Sequence, residues 1–241
     1  MQSAVSVLGI PIAPFTMEES VSVIDGLIKN KKPSLIATAN AEMVMMAQQD
    51  NVLADILRSA ALVVPDGAGV VWAARQLGRT VPQRVAGYDL VQKLLSVSGH
   101  KGYRLYFLGA APGIAAKAKL YAEQKHPGVA IVGVRDGYFQ PADEDAVIAE
   151  ITECRPDILL VALGVPRQEK WLANNLGRLQ VPVVMGVGGT FDVMAGVVTR
   201  APAWMQQSGL EWLYRLLKQP HRALRMLALP RFVMKVLLAK K

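Results

Sequence analysis

Short apolar, β-branched runs alternate along the chain with segments whose apolar positions recur every three to four residues. The runs Val5–Ile10, Ser34–Thr38, Leu62–Val64, Arg104–Gly109, Val129–Val134, Ile158–Gly164 and Val183–Val187 predict strands. Between them the helical period predicts helices at about 17–30, 41–58, 68–77, 89–98, 113–126, 143–154 and 166–176. Thr16, followed three residues later by Glu19, forms a capping box that opens the first helix. Near-continuous apolar strands separated by helices are the signature of an α/β fold, a Rossmann-like, mostly parallel sheet with helices on both faces. Ligands of such sheets bind beyond the carboxyl ends of the strands. Those ends carry the polar and glycine-rich loops Thr38-Ala-Asn-Ala-Glu42, Pro65-Asp-Gly67, Gly109-Ala-Ala-Pro-Gly113, Gly164-Val-Pro-Arg-Gln-Glu169 and Gly186-Val-Gly-Gly-Thr-Phe-Asp192. So many polar loops at one rim predict a small-molecule site.

With 241 residues, 52% apolar and 19% charged, the chain can bury a large core, which excludes disorder and coiled-coil arrays. The single Cys154 rules out a disulfide framework, and His100, His126 and His221 are too few for a Cys/His zinc cluster, so a reduced, cytosolic setting is expected. The net charge of +8 is unevenly placed: residues 1–199 carry equal numbers of acids and bases, whereas 200–241 carry nine Lys/Arg against Glu211 alone. That segment also holds Trp204, Trp212, Met205, Met226 and Met234. Residues 1–199 therefore read as the α/β domain and 200–241 as an amphipathic appendage whose partner is anionic: phosphate, lipid headgroup or nucleic acid. The amino-terminal stretch lacks a cationic region and runs into Glu18 and Glu19, unlike a signal peptide. Asp192, Arg225, Arg231 and Lys235 interrupt the long apolar stretches, so the chain is expected to lie on a membrane rather than cross it.

Several rim residues carry two readings. Asp66, after an apolar strand and before a glycine, suits a general base whose pKa is lifted by apolar walls, and equally an Asp-Gly turn that caps the next helix. Thr38 and Asn40 suit the hydroxyls or amide of a sugar, while Asn40 also suits a helix cap; the two roles are compatible. Gly109-x-x-x-Gly113 places backbone N–H groups where a diphosphate or uracil carbonyl can sit, or serves as a tight strand-to-helix turn. It is not G-x-G-x-x-G, which excludes a dinucleotide site. Asp143-Glu-Asp145 has the letters of a metal-binding D-x-D but sits after Pro141 at a helix start, where acids complement the dipole. Without a metal cluster, a diphosphate leaving group needs protein cations. Leu210, Leu213, Tyr214 and Leu217 form an amphipathic stripe, and Arg215, Lys218, Arg222 and Arg225 share a face if the helix resumes after Pro220. These side chains are either guanidinium forks for diphosphate oxygens or a solvated face over a core helix. Arg231–Lys241 mixes Phe232, Val233, Val236, Leu237 and Leu238 with cations, as a helix in a bilayer interface does.

Together the motifs Thr38-Ala-Asn-Ala-Glu42, Val64-Pro-Asp-Gly67, Arg84-Val-Ala-Gly87, Asp136-Gly-Tyr-Phe139, Leu163-Gly-Val-Pro-Arg-Gln-Glu169, Gly186-Val-Gly-Gly-Thr-Phe-Asp192, Arg200-Ala-Pro202 and Gly209-Leu-Glu-Trp-Leu-Tyr-Arg215 resemble the bacterial WecG/TagA/CpsF glycosyltransferases, in family order over about residues 5–235. The resemblance implies an inverting transferase that needs no metal or other cofactor. It would move N-acetylmannosamine from a UDP donor to undecaprenyl-diphosphate-linked N-acetylglucosamine at the inner leaflet of the cytoplasmic membrane. It further implies Asp66 as base, Thr38, Asn40, Arg84 and Gln168 as substrate-binding residues, and Arg215, Arg222 and Arg225 closing over the diphosphate. Gly109, Gly113, Gly188 and Asp192 are the expected nucleotide-loop positions. Arg167 stands where lysine is common in the family, a departure that leaves the role of this cation open. A second reading within the class is transfer of N-acetylmannosaminuronic acid or another UDP-hexose, with Arg84 or Arg167 as the extra cation. Outside the class stands a nucleic-acid-binding module, which predicts steep salt dependence, although residues 1–199 show no basic patch and no aromatic-studded sheet. Association into a homo-oligomer is compatible with either reading.

Overall fold

The structure, a computed structural model, describes residues 4–218 and 226–239. Its frame is a parallel sheet of β3 (Ser34–Ala39), β4 (Leu62–Pro65), β5 (Arg104–Gly109), β6 (Ala130–Arg135), β7 (Ile158–Ala162) and β8 (Val183–Gly186), in the order β4-β3-β8-β7-β5-β6. These strands match the predicted runs to within two residues at each end. Successive residues of a strand face opposite layers. Leu35, Ala37, Leu159 and Val184 enter one core, while Ile36, Phe107, Leu160 and Met185 enter the other. Both faces being covered, the strands read as unbroken apolar runs rather than alternating ones.

The first core is covered by α2 (Ala41–Ala47), α3 (Asn51–Ser59), α4 (Ala68–Gln76), α7 (Glu144–Glu153) and α8 (Arg167–Leu179). The second is covered by α1 (Met17–Asn30), α5 (Gly87–Lys101), α6 (Ile114–Lys125) and α9 (Thr190–Met194). The capping box of α1 is present, with Glu19 N–H donating to Thr16 Oγ1 at 3.2 Å and Thr16 N–H to Glu19 Oε2 at 2.7 Å. At two seams adjacent strands send their chains to opposite layers: β3 leads into α2 and β8 into α9, while β7 leads into α8 and β5 into α6. A crevice opens at the carboxyl rim wherever neighbouring loops diverge in this way.

Two predicted elements differ. Val5–Ile10 is not one strand but a hairpin of β1 (Val5–Val7) and β2 (Ile10–Ile12), packed outside the main sheet against α3 and α4. Leu8 and Gly9 both have positive φ (49° and 81°), the backbone of the tight turn that matches strand twist. The 41–58 helix is two, because Gln48–Asp50 break the first and the Asp50 carboxylate caps α3 by accepting from Leu53 N–H at 3.1 Å.

Beyond residue 200 the chain forms α10 (Ala203–Gln207), α11 (Glu211–Lys218) and α12 (Ala228–Ala239). α12 packs on α2 and α4, and its Phe232 and Val236 are buried in the same core as those helices. Its opposite side leaves Met234 and Leu238 60% and 65% exposed. Among the described residues no helix is long and apolar enough to cross a membrane. Truncating Phe232, 1% exposed, opens a cavity under α12. Phe232→Ala is expected to lower unfolding free energy by about 3–5 kcal/mol, read as a reduced urea midpoint; an unchanged midpoint would mean that α12 is not docked.

Candidate active site

The rim beyond β3, β4, β7 and β8 encloses a cavity of about 390 Å³. β4 delivers Asp66, whose N–H is fixed by the Ala39 carbonyl at 2.8 Å, and β3 delivers Thr38 and Asn40. Asn40 Oδ1 accepts from Met43 N–H at 2.9 Å while the residue lines the cavity, so it is both cap and wall. α8 brings Gln168, almost fully buried, whose Oε1 accepts from Gly188 N–H at 3.2 Å and whose Nε2 donates to Glu169 Oε1 at 2.7 Å. A Cβ on Gly186 would lie 2.5 Å from Gln168 Nε2, so only glycine leaves room for that amide. Gly188 and Asp192 also line the cavity.

The far wall comes from the carboxyl-terminal segment: Gly209, Glu211, Trp212, Arg215, Met226 and Leu229. Arg84 enters from the loop before α5, its Nη2 4.0 Å from Asp66 Oδ1 and 2.5 Å from Glu211 Oε2. Arg215 Nη2 donates to Glu211 Oε1 at 3.3 Å, and half of the Arg215 side chain remains exposed. Arg200 forks onto Asp89 at 2.5 and 2.8 Å and lies over the Tyr88 ring at 4.8 Å. Arg222 and Arg225, expected in this cluster, lie outside the described residues.

A second cavity of about 620 Å³ lies between the ends of β5, β6 and β7, lined by Ala110, Ala111, Tyr138, Phe139, Arg167 and Asp192 among others. It sits where β5 and β7 send their chains to opposite layers. Arg167 stacks over Phe139 at 5.8 Å. The two cavities share Ala162 and Asp192. Gly109 and Gly113 do not form the wall of either cavity. A Cβ on Gly109 would lie 2.4 Å from the Ala162 carbonyl oxygen, a packing reason for the glycine, and Gly113 takes a left-handed φ of 81° before α6. Asp143 accepts from Gln140 N–H at 2.9 Å and Asp145 pairs with Arg178 at 2.5 Å, so this acidic run serves a helix start and an ion pair. Among the described residues no three His, Cys, Asp or Glu side chains converge as a metal ion would need.

The carboxylates of the site differ electrostatically. Burial pushes the Asp66 carboxyl above the usual range, against the opposing pull of Arg84 and Arg215. Burial likewise raises Asp192. Burial also works to raise Glu211, but the Arg84 hydrogen bond and the charges of Arg215, Arg84 and Arg200 outweigh it, and its carboxyl is held low. Glu169, 2% exposed, is pushed up to about 7 by burial, and its Oε2 has no hydrogen-bond partner among the described residues. Glu169 and Glu211 were legible as motif letters but not as site groups: only their burial beside Gln168 and the arginines marks them.

The model of the "Glycosyl transferase WecG/TagA/CpsF family" matches residues 5–241. A Bacillus subtilis (strain 168) protein named N-acetylglucosaminyldiphosphoundecaprenol N-acetyl-beta-D-mannosaminyltransferase is 37% identical over 95% of this chain and 90% of its own. Proteins of the same name from Bacillus spizizenii and Staphylococcus aureus (strain MW2) are 38% and 30% identical, covering 87% and 98% of this chain and 81% and 93% of their own.

The state of Glu169 sets a pH dependence. Between its ordinary 4.5 and about 7 the folded chain holds a proton that the unfolded chain has released, so stability falls as pH rises through this window. The loss is about 3 kcal/mol in all. Glu169→Gln, which cannot ionise, is expected to lose less stability than wild type between pH 4.5 and 8 in urea titrations; parallel curves would show that Glu169 titrates normally.

Proposed function

The chain belongs to the WecG/TagA/CpsF family and is a glycosyltransferase, and from that premise we propose that it moves N-acetylmannosamine from a UDP donor to undecaprenyl-diphosphate-linked N-acetylglucosamine. The observation that carries this reading is one cavity lined by a carboxylate of raised pKa, Asp66, and by the guanidinium groups of Arg84 and Arg215. The acceptor and sugar class follow the name of the relatives, and the beta linkage in that name fits attack on an α-linked donor with inversion.

In this mechanism the acceptor hydroxyl oxygen bonds to the anomeric carbon as the bond from that carbon to the β-phosphate oxygen breaks. Asp66 takes the hydroxyl proton, and UDP leaves with the electron pair. A carboxylate of raised pKa is a stronger base than an exposed one, and it works in its ionised form, so turnover should rise with pH through the Asp66 titration. UDP departs without needing a proton, so one base suffices. Its developing charge is met by Arg84 and Arg215, with Arg222 and Arg225 as further candidates, in place of a divalent ion. Gln168, held by Gly188 and Glu169, presents a fixed amide to sugar hydroxyls alongside Thr38 and Asn40. The second cavity, which Asp192 lines, is suited to the nucleoside, with Ala110 and Ala111 of the Gly109–Gly113 loop in its wall. Residues 200–241 complete the site, and the exposed side of α12 with Trp204, itself 61% exposed, rests on the cytoplasmic leaflet where the lipid acceptor resides. A uronic-acid donor is a second reading, with Arg84 in the first cavity or Arg167 in the wall of the second as the extra cation.

UDP release is to be measured with detergent-solubilised lipid-linked N-acetylglucosamine and a panel of UDP-sugars. UDP-N-acetylmannosamine is expected to be turned over equally with and without EDTA, and Asp66→Asn to lose about 10²–10⁴-fold in kcat; activity surviving in Asp66→Asn would remove the base. For the membrane reading, Met234→Glu with Leu238→Glu should abolish co-sedimentation with phosphatidylglycerol vesicles while leaving the melting temperature unchanged; retained binding would refute contact through α12.

A further inference from the structure

One guanidinium nitrogen is contested by two carboxylates. Arg84 Nη2 lies 2.5 Å from Glu211 Oε2 but 4.0 Å from Asp66 Oδ1, and Glu211 therefore holds the ion pair that Asp66 would otherwise close. The remaining arm of Arg84, Nη1, donates to the Gln206 carbonyl at 3.3 Å, which keeps the side chain turned toward the carboxyl-terminal segment. The other oxygen of Glu211 stands 3.3 Å from Arg215 Nη2 and 3.5 Å from Arg200 Nε. Glu211, the one acid of residues 200–241, thus gathers cations from three separate parts of the chain, and its side chain is only 10% exposed.

We propose that Glu211 is a positioning residue for the transfer reaction, drawing Arg84 off Asp66 and holding Arg215 at the cavity wall. The inference rests on Asp66 being the base. A closed Arg84–Asp66 pair would favour the ionised carboxylate and weaken it as a proton acceptor. With Arg84 drawn aside, the cation stays near enough to meet a diphosphate without quenching the base. The charged and polar groups facing Asp66 are Arg84 from the loop before α5, Gly87 N–H at the start of α5, and Glu211 and Arg215 from α11. Glu42, Tyr88, Asp192 and Arg200 are the other charged and titratable groups that line the cavity, Arg200 being paired with Asp89. Removing the charge of Glu211 acts on Asp66 in one direction only, since it deletes a like charge and releases Arg84 toward it.

The test is a carbon-13 NMR titration of Asp66 in protein labelled at aspartate, with the signal assigned by its loss in Asp66→Asn, run beside the pH profile of UDP release. In Glu211→Gln the Asp66 titration and the acid limb of kcat/KM are both expected to move to lower pH, and kcat at neutral pH to fall on the order of 10-fold to 10²-fold as Arg215 loses its anchor. In an Arg84→Met background the same substitution should move the titration far less. A lowered melting temperature with an unmoved Asp66 titration would make Glu211 merely structural and overturn the proposal, as would an equal shift in the Arg84→Met background. If Glu211→Gln does not fold, Glu211→Asp carries the test: a charge retracted by one methylene should shift the titration in the same direction, and no shift overturns the proposal. A wild-type chain that releases no UDP would overturn the transferase reading and with it the role of Glu211 in transfer, whereas an unmoved Asp66 signal in Glu211→Gln with UDP release intact overturns the proposal alone.

Discussion

The divergence of neighbouring strands at the carboxyl rim is the constraint on which the rest of the molecule depends. β3 and β8 lie side by side, yet one continues into the first helical layer and the other into the second. The chains leaving β7 and β5 part in the same way. Both cavities sit over these gaps, and the side chains that line them are carried on first helical turns and short loops. A parallel sheet buried on both faces leaves its polar groups nowhere else to gather.

In and behind the cavity wall, burial and charge pull three carboxylates apart. Asp66 and Glu169 are both raised by burial, but Asp66 faces open space and two guanidinium groups, whereas Glu169 is enclosed behind Gln168. Glu211 is also buried and stays low because cations surround it. The guanidinium groups around Glu211, which Glu169 lacks, set the opposite directions of their shifts.

Much of the fold was legible in the sequence because a doubly covered sheet writes long apolar runs: β5 and α1 match their predicted bounds, and the other main strands deviate only at their ends. The hairpin was not legible, since Leu8-Gly9 lacks the Asn-Gly or Asp-Gly letters of such a turn and Leu8 pays a steric cost for its positive φ. The break at Gln48–Asp50 hid inside a continuing helical period; only the Asp50 cap reveals it. For the site, the rim loops pointed to Asp66, Thr38 and Asn40, and the family resemblance to Gln168; all four line one cavity. The Gly109 and Gly113 spacing did not distinguish a phosphate loop from a packing need, because a clash with the Ala162 carbonyl exists only in three dimensions. The partnership of Glu211 with Arg84 spans well over a hundred residues and leaves no periodic trace.

Ala162 and Asp192 belong to both cavities at once. Any occupant that displaces either residue alters the neighbouring chamber, and thermodynamic reciprocity then obliges the second occupant to influence the first by an identical factor. Two molecules admitted here do not enter as strangers: each feels the other through the pair of residues that both chambers share.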